Sequence, residues 1–359
     1  MASHRYIIVG AGLAGCLTAW RLEQAGQDVL LLGSTQLPGA SEVAGGIINP
    51  VTGRWMTKSW RFDECIAQAV DTYRELERQF GIHIYHPVPF IRYCQNEADV
   101  KRIRKRMRNP RYSDVLGDYI PVETNHTMLA DTHGSFQVKQ AGYVDLPLLL
   151  TTLRNHFAKK EILRDSIFDY TGLKKEGDHW HYHHLKTDHV IFCEGAGMLK
   201  NPWFNQLPLT PVKGETLTFH CPTLQLPHTI YHRGKWLLPV EEGHFRIGAT
   251  YDDQDLSETP TETGKQELLS AARSLMAPQH VPEVKQQTTG LRPCTQDFRP
   301  FIGSHPTLPG LHIINGLGSK GALLAPAMIH KCLAHLLEDE PLDNEINCAR
   351  YFNPDYAMA

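Results

Sequence analysis

The sequence predicts an α/β fold, α+β over the whole chain, that opens with a nucleotide-binding unit. Three observations predict it. Tyr6–Val9 is a short β-branched apolar run of the kind a buried parallel strand needs. Gly10-Ala11-Gly12-Leu13-Ala14-Gly15 follows at once and reads G-x-G-x-x-G. Leu13, Leu17 and Trp20 then recur at helical spacing up to a stop near Gly26, and a second apolar run, Val29–Leu32, follows. Strand, glycine turn, helix and strand in this order are the context of a dinucleotide-binding fold.

Each part of the turn has a physical role. Gly10 permits the tight turn, Gly12 lets backbone approach a pyrophosphate, and Gly15 lets the helix pack on the strand. The helix N-terminus, beginning at Leu13 and Ala14, offers free N–H groups and a partial positive charge to phosphates. The second strand of such folds ends in an acid that holds the ribose. Here that position is Gly33, with Ser34 or a backbone group as the substitute, and Ser34-Thr35-Gln36 contains no arginine for a 2′-phosphate. Restoring the acid with Gly33→Glu is expected to leave cofactor binding unchanged or tighten it.

Composition bounds the rest. The 359 residues include 36 Lys+Arg and 39 Asp+Glu, for a formal charge of −3, with 42% hydrophobic residues. That balance excludes disorder as the default and allows two domains. It gives no general attraction to nucleic acid or anionic membrane. The longest apolar run, around Leu146–Leu150, is far short of the roughly 20 residues that span a bilayer. The N-terminal run breaks into glycines too early for a signal peptide. The eight cysteines form no C-x-x-C pair, so they read as reduced thiols in a cytoplasmic protein.

Further along, Leu37 to Pro50 carries Ser41, Ala44, Gly45 and Gly46. This run of small residues resembles the FAD-dependent amine and amino-acid oxidase family, that of D-amino-acid oxidase, glycine oxidase and sarcosine oxidase, in which it lies along the flavin. Small residues suit a backbone that touches a flat ring. The resemblance continues through Gly142-Tyr143-Val144-Asp145 entering a helix at Pro147–Phe157, Val190 to Gly197, Pro211 to Glu215, Trp236–Pro239, Ile247–Thr250, Gly290-Leu291-Arg292-Pro293, Asp297, Arg299 to Gly303, Asn315 to Gly321, and Leu323 to Pro326. Each motif is degenerate alone; their order and spacing together are specific. The resemblance implies a Rossmann-type FAD-binding domain from residues 1–84, 141–208 and 286–359, with a smaller, mainly antiparallel substrate domain from 85–140 and 209–285. It further implies that Gly195, Gly197, Gly316, Gly318, Ser319, Lys320 and Gly321 contact FAD.

Oxidation of a C–N bond by flavin needs orientation and placed charge more than acid–base machinery, so cations are the candidates. By the resemblance, Arg292 holds a substrate carboxylate, which its planar fork suits; its structural alternative is an ion pair with Asp297 or a bond to a domain-crossing carbonyl. Lys320 lies in the last glycine turn. Arg54 and Lys58 belong to the Asn49–Trp60 segment, expected to shape one pocket wall. Trp236 stands where glycine oxidase has an active-site tyrosine. Ser319 stands where that enzyme has a second arginine.

Two clusters are set apart. His179, His181, His183 and His184 could share a strand face, but no carboxylate or cysteine is positioned by spacing, so no metal is expected. Lys101, Arg102, Arg104, Lys105, Arg106, Arg108 and Arg111 form a basic run, with Val100, Ile103 and Met107 at helical spacing and Pro110 ending it. It reads as a surface helix with a solvated basic face, or as an anion or tRNA surface. The implied function is oxidation of a small amine or N-substituted glycine, with O2 or another acceptor reoxidising the flavin. The alternatives are a tRNA wobble-uridine side-chain oxidase, which the Gly316–Pro326 segment resembles, and a flavin-binding protein without turnover.

Overall fold

The computed structural model describes residues 3–34, 39–122 and 129–352. Thr35, Gln36 and Leu37 lie outside the described residues. Strand β1 (Ser3–Val9) leads into helix α1 (Leu13–Gln24) and strand β2 (Val29–Leu32), as the sequence predicts. Tyr6, Ile7 and Ile8 are fully buried and Val9 nearly so, because β1 runs between two parallel neighbours. Val9 pairs with Leu32 on one side and with Phe192 of the Leu185–Phe192 strand on the other. Phe192 in turn pairs with Ile313 of the Leu311–Asn315 strand. This register brings the turns after Val9, Leu32, Phe192 and Asn315 out at one edge of the sheet, where ligands of open α/β folds bind.

Helices α2 (Ala40–Val43) and α3 (Phe62–Phe80) follow, then α4 (Glu97–Met107), α5 (Leu146–Lys159), α6 (Glu262–Leu275) and α7 (Gly321–Glu338). Helix α5 starts where the Asp145 side chain accepts the Leu148 N–H, and it buries Leu146, Leu149, Leu150, Leu153 and Phe157 along one stripe. Helices α1, α3, α5 and α7 fill the apolar cluster on one side of the parallel sheet. Phe168, Trp180, Tyr182 and the Met198–Leu209 segment fill the other. Three of the four histidines of the 179–184 segment meet an acid that the spacing does not position: His179 with Asp188, His181 with Glu176 and His183 with Asp169. Among the described residues no group of three or more metal-ligating side chains is placed to hold an ion, and no helix is long and apolar enough to cross a membrane. All eight cysteines are free.

The second large sheet runs in the order 283–292, 212–220, 244–248, 235–241, 230–233, 90–93, 135–138, 116–120. All neighbours are antiparallel except 230–233 with 90–93. Leu217, Phe219, Leu237, Phe245 and Ile247 form its core with α6. Alternation therefore turns Thr216, Trp236, Arg246 and Gly248 to the opposite face. On the core side, Lys213 is 1% exposed, and its Nζ donates to Asp255, Ser257 and the Thr259 carbonyl. Glu215 accepts from the backbone and hydroxyl of Thr261. These two buried charges fasten the 250–261 loop.

Burial pushes His312 and His232 down to about 3, so both are neutral in the folded protein. The unfolded chain takes up a proton at each near pH 6.5, whereas the folded chain does not. Stability is therefore highest above that value and falls as pH drops from about 7 toward about 3, by roughly 1 kcal/mol per unit per histidine. Urea unfolding at a series of pH values should show this slope, and His312→Gln should reduce it; an unchanged slope would contradict the assignment.

Candidate active site

The first glycine turn is shaped by contact. Gly10 has φ +105°, and a Cβ there would lie 2.4 Å from the Cys193 carbonyl oxygen. A Cβ on Gly15 would lie 1.7 Å from the Gly10 oxygen. Gly12 differs: its Cβ would meet only Ser41 Oγ, at 3.4 Å. The cradle beside Gly12 is open. Helix α1 has neither a side-chain cap nor an acid in its first turn, and the Leu13 N–H donates to Ser41 Oγ at 3.2 Å. Open backbone donors at a helix N-terminus fit a pyrophosphate. Cys16 is buried and donates to the Ala11 carbonyl, which fits a packing role in α1.

Gly33 needs a correction. A Cβ at this position would lie 2.5 Å from the Ala11 nitrogen and 2.7 Å from the Ala11 Cβ. The position is glycine because β2 ends against the phosphate turn, so an added acid clashes instead of helping. Ala11 is held from the other side as well. Arg154 of α5 donates to its carbonyl through Nε at 2.9 Å and through Nη2, and the same guanidinium pairs with Glu42. Ser34 follows Gly33 at the strand end.

The free face of the second sheet meets the 40–46 segment. A Cβ on Gly45 would come within 2.7 Å of Trp236 Cζ2, and one on Gly248 within 2.5 Å of the same atom. A Cβ on Gly290 would meet the Val43 side chain at 2.6 Å. Gly46 has φ +62° and packs on the Val144 carbonyl, and Ala44 is half-buried beside it. Trp236 is thus brought against Gly45. Arg292 shares this face. Its guanidinium covers Gly214 and donates to the Lys213 carbonyl at 3.2 Å and the Thr250 carbonyl at 3.0 Å. It does not pair with Asp297, whose partner is Arg350 at 3.0 Å. No carboxylate pairs with Arg292 among the described residues, and burial lowers its pKa. Two of the five N–H groups of a guanidinium are used, leaving three.

Arg246 was missed by the sequence reading. It is half-buried, its Nη2 donates to the Val43 carbonyl at 3.1 Å, and burial lowers its pKa against a raising effect of Asp145. The available signal was its position two residues before Gly248, which fixes its face once the strand is known.

The last glycine turn closes the edge. Asn315 Nδ2 donates to the Gly195 carbonyl at 2.9 Å, tying this turn to the one that holds Gly195 and Gly197. Gly316 and Gly318 have positive φ, and the Gly318 N–H donates to the Pro293 carbonyl next to Arg292 at 3.0 Å. A Cβ on Gly321 would touch Leu13 at 3.5 Å. Ser319 is exposed. Lys320 is half-buried, without an ion pair among the described residues, and its pKa is lowered by burial and then by Arg299. Arg54 is not brought to this group. It sits exposed at a hairpin tip, 4.7 Å over the Trp55 ring, and the hairpin contacts run to α4. Lys58 pairs with Asp63 and Asp114.

The model of the FAD dependent oxidoreductase family matches residues 5–336. Glycine oxidase of Pseudomonas aeruginosa is 26% identical, over 95% of this chain and 96% of that protein. The tRNA 5-methylaminomethyl-2-thiouridine biosynthesis bifunctional protein MnmC of Marinobacter nauticus is 23% identical over 90% of this chain, which spans 54% of that protein. Among solved structures, glycine oxidase from Geobacillus kaustophilus has a TM-score of 0.80 at 21% identity, covering 96% of this chain and 97% of that one. Iminodiacetate oxidase from Chelativorans sp. BNC1 has a TM-score of 0.78 at 20% identity, covering 96% and 99%.

Two substitutions separate the glycine roles. Gly12→Val fills the open cradle and should remove bound FAD while leaving the fold intact. Gly33→Glu forces Ala11 aside, which should lower both FAD content and stability, by about 1–3 kcal/mol for overpacking. Flavin fluorescence titration with thermal unfolding reads both; retention of full FAD by either variant would contradict its assignment.

Proposed function

This chain belongs to the FAD dependent oxidoreductase family, is an FAD-dependent enzyme of the amino-acid-oxidase type, and from that premise we propose that it oxidises the C–N bond of a small amino acid or N-substituted glycine. When bound, FAD would supply the two-electron acceptor for a hydride from the carbon beside the amine, with O2 reduced to hydrogen peroxide on its reoxidation, and the imine product would hydrolyse in water. The residues that would hold FAD are Gly10, Gly12, Leu13, Ala14, Gly15, Ser34 and Ser41 at the phosphates and ribose. Ala44, Gly45, Gly46, Gly195, Gly197 and Gly316–Gly321 would lie along the rest of the cofactor.

One observation carries the substrate reading: a half-buried guanidinium, Arg292, lies on the same sheet face as Trp236 with donors to spare and no carboxylate partner among the described residues. A partly desolvated cation left in this state favours an anion, and a planar carboxylate matches its fork. Arg246 and Lys320 add positive charge along the same edge, which suits an acidic substrate. Trp236, pressed between Gly45 and Gly248, would narrow the pocket and exclude water from the reacting carbon. The neutral amine then needs no dedicated base on the protein, only to be held with its carbon toward the flavin.

Anaerobic loss of flavin absorbance with sarcosine, glycine, proline and carboxylate-free amines tests the reading. Arg292→Ala should lower kcat/KM for the carboxylated substrates by about 30-fold to several thousand-fold, the equivalent of roughly 2–5 kcal/mol. Arg292→Lys keeps the charge but loses the fork, and should recover only part. FAD content should stay unchanged, and carboxylate-free amines should lose far less. Equal loss in both classes would make Arg292 a strand fastener through the Lys213 and Thr250 carbonyls.

A further inference from the structure

A strongly charged surface lies outside this site. Between Glu97 and Arg111 seven cations face two carboxylates, Glu97 and Asp99, in a chain whose formal charge is −3. Val100 and Ile103 bury one stripe of α4, while Lys101, Arg104, Lys105, Arg108 and Arg111 stand exposed. Among the described residues only Arg102 of the seven is seen in an ion pair, with Asp99 at 2.6 Å. Among the described residues the positive charge is therefore concentrated, with few ion pairs to compensate it.

A second observation concerns the hairpin packed against that helix. Trp55 is 56% exposed, yet the hairpin presenting it is firmly held. Arg92, 5% exposed, donates to the Val51 carbonyl at 3.2 Å and the Gly53 carbonyl at 2.8 Å, on the strand and at the start of the turn leading into Trp55. Arg106 donates to the Trp55 carbonyl at 3.4 Å. The guanidinium groups of Arg54 and Arg102 lie 4.7 and 5.1 Å from the indole centroid. Arg104 lies over Tyr119 at 4.7 Å and Arg106 over Tyr112 at 5.3 Å. Guanidinium groups and aromatic rings thus pack against one another along α4, with Trp55 the exposed ring, Tyr119 half-buried and Tyr112 buried.

The chemistry selects among anionic partners. A lipid surface could take Trp55 but needs an apolar stripe beside it, and that of α4 is already buried. An acidic polypeptide offers charge but no succession of planar groups. An unpaired polynucleotide strand offers both: phosphates for the ammonium and guanidinium groups, and a base to stack on indole. We propose that α4 and the Trp55 hairpin form a docking surface for a single-stranded polynucleotide, with phosphates on the α4 cations and a base against Trp55. The proposal does not depend on which amine the enzyme oxidises, because its test measures binding without turnover.

The FAD-loaded full chain is titrated into a fluorescein-labelled oligouridylate at low salt and read by anisotropy. An RNA duplex, polyglutamate and phosphatidylserine vesicles are tested in parallel. The strand should bind tightest of the four, and its affinity should fall with salt with a log–log slope of about −0.7 per phosphate contacted. Trp55→Ala should weaken binding by about 5- to 100-fold with little change in that slope, and Trp55→Phe should recover most of it. Arg104→Glu, Lys105→Glu and Arg108→Glu together should abolish binding at unchanged FAD content. If that triple variant does not fold, the exposed Trp55 substitutions alone decide. Absence of binding at low salt, equal affinity for duplex, polyglutamate or vesicles, or an unaffected Trp55→Ala variant would overturn the proposal.

Discussion

The active edge depends on backbone meeting backbone with no side chain between. At Gly15 a single Cβ would fall 1.7 Å from the Gly10 oxygen, and at Gly10 one would fall 2.4 Å from the Cys193 oxygen. These contacts seat α1 directly over the end of β1 and set the turn after Leu185–Phe192 beneath it. With that seat fixed, the N-terminal dipole of α1 points along the edge where four parallel strands end together. The same closeness reaches the third turn, since Gly33 abuts Ala11 and the acid usual at that strand end has no room. One steric constraint thus explains both what the motif keeps and what it lacks.

The second interface repeats this logic where the 40–46 segment meets the second large sheet. Gly45, Gly248 and Gly290 let the 40–46 segment and the sheet face approach until Trp236 fills the gap. The cations at this interface differ from the paired cations elsewhere in the fold. Arg350 has Asp297, Arg61 has Asp343, and Lys213 has Asp255. Arg292 and Arg246 instead rest on backbone carbonyls, and Lys320 has no ion pair among the described residues. A carbonyl satisfies a donor without neutralising a charge, so the interface keeps a positive field that the paired arginines have given up.

The surface charge follows a third pattern. Helix α4 keeps its cations in water, where screening makes pairing of little value, while its two buried residues and Arg92 fix it and its hairpin in place. Rigid backbone with solvated charge is a different arrangement from the half-buried cations of the sheet face, and the two lie on separate elements.

By itself the sequence determined the β1–turn–α1–β2 unit and the basic amphipathic helix through Val100, Ile103 and Met107 that Pro110 ends. Each depends on neighbours in the chain: period, the helix-ending proline and the freedom of glycine are local properties. It also indicated that Arg292, Trp236 and Gly45 matter, through motifs whose order the fold conserves. Only the tertiary structure decided which cations lack a carboxylate. Asp297 could have paired with Arg292 five residues away but pairs with Arg350, and Arg246 finds its partner at Val43, 203 residues distant. It likewise moved Arg54 to the α4 surface and turned Gly33 from a missing acid into a packing contact. Electrostatic partners and steric clearances are set by what meets in space, and no local pattern in the chain encodes which distant groups will meet.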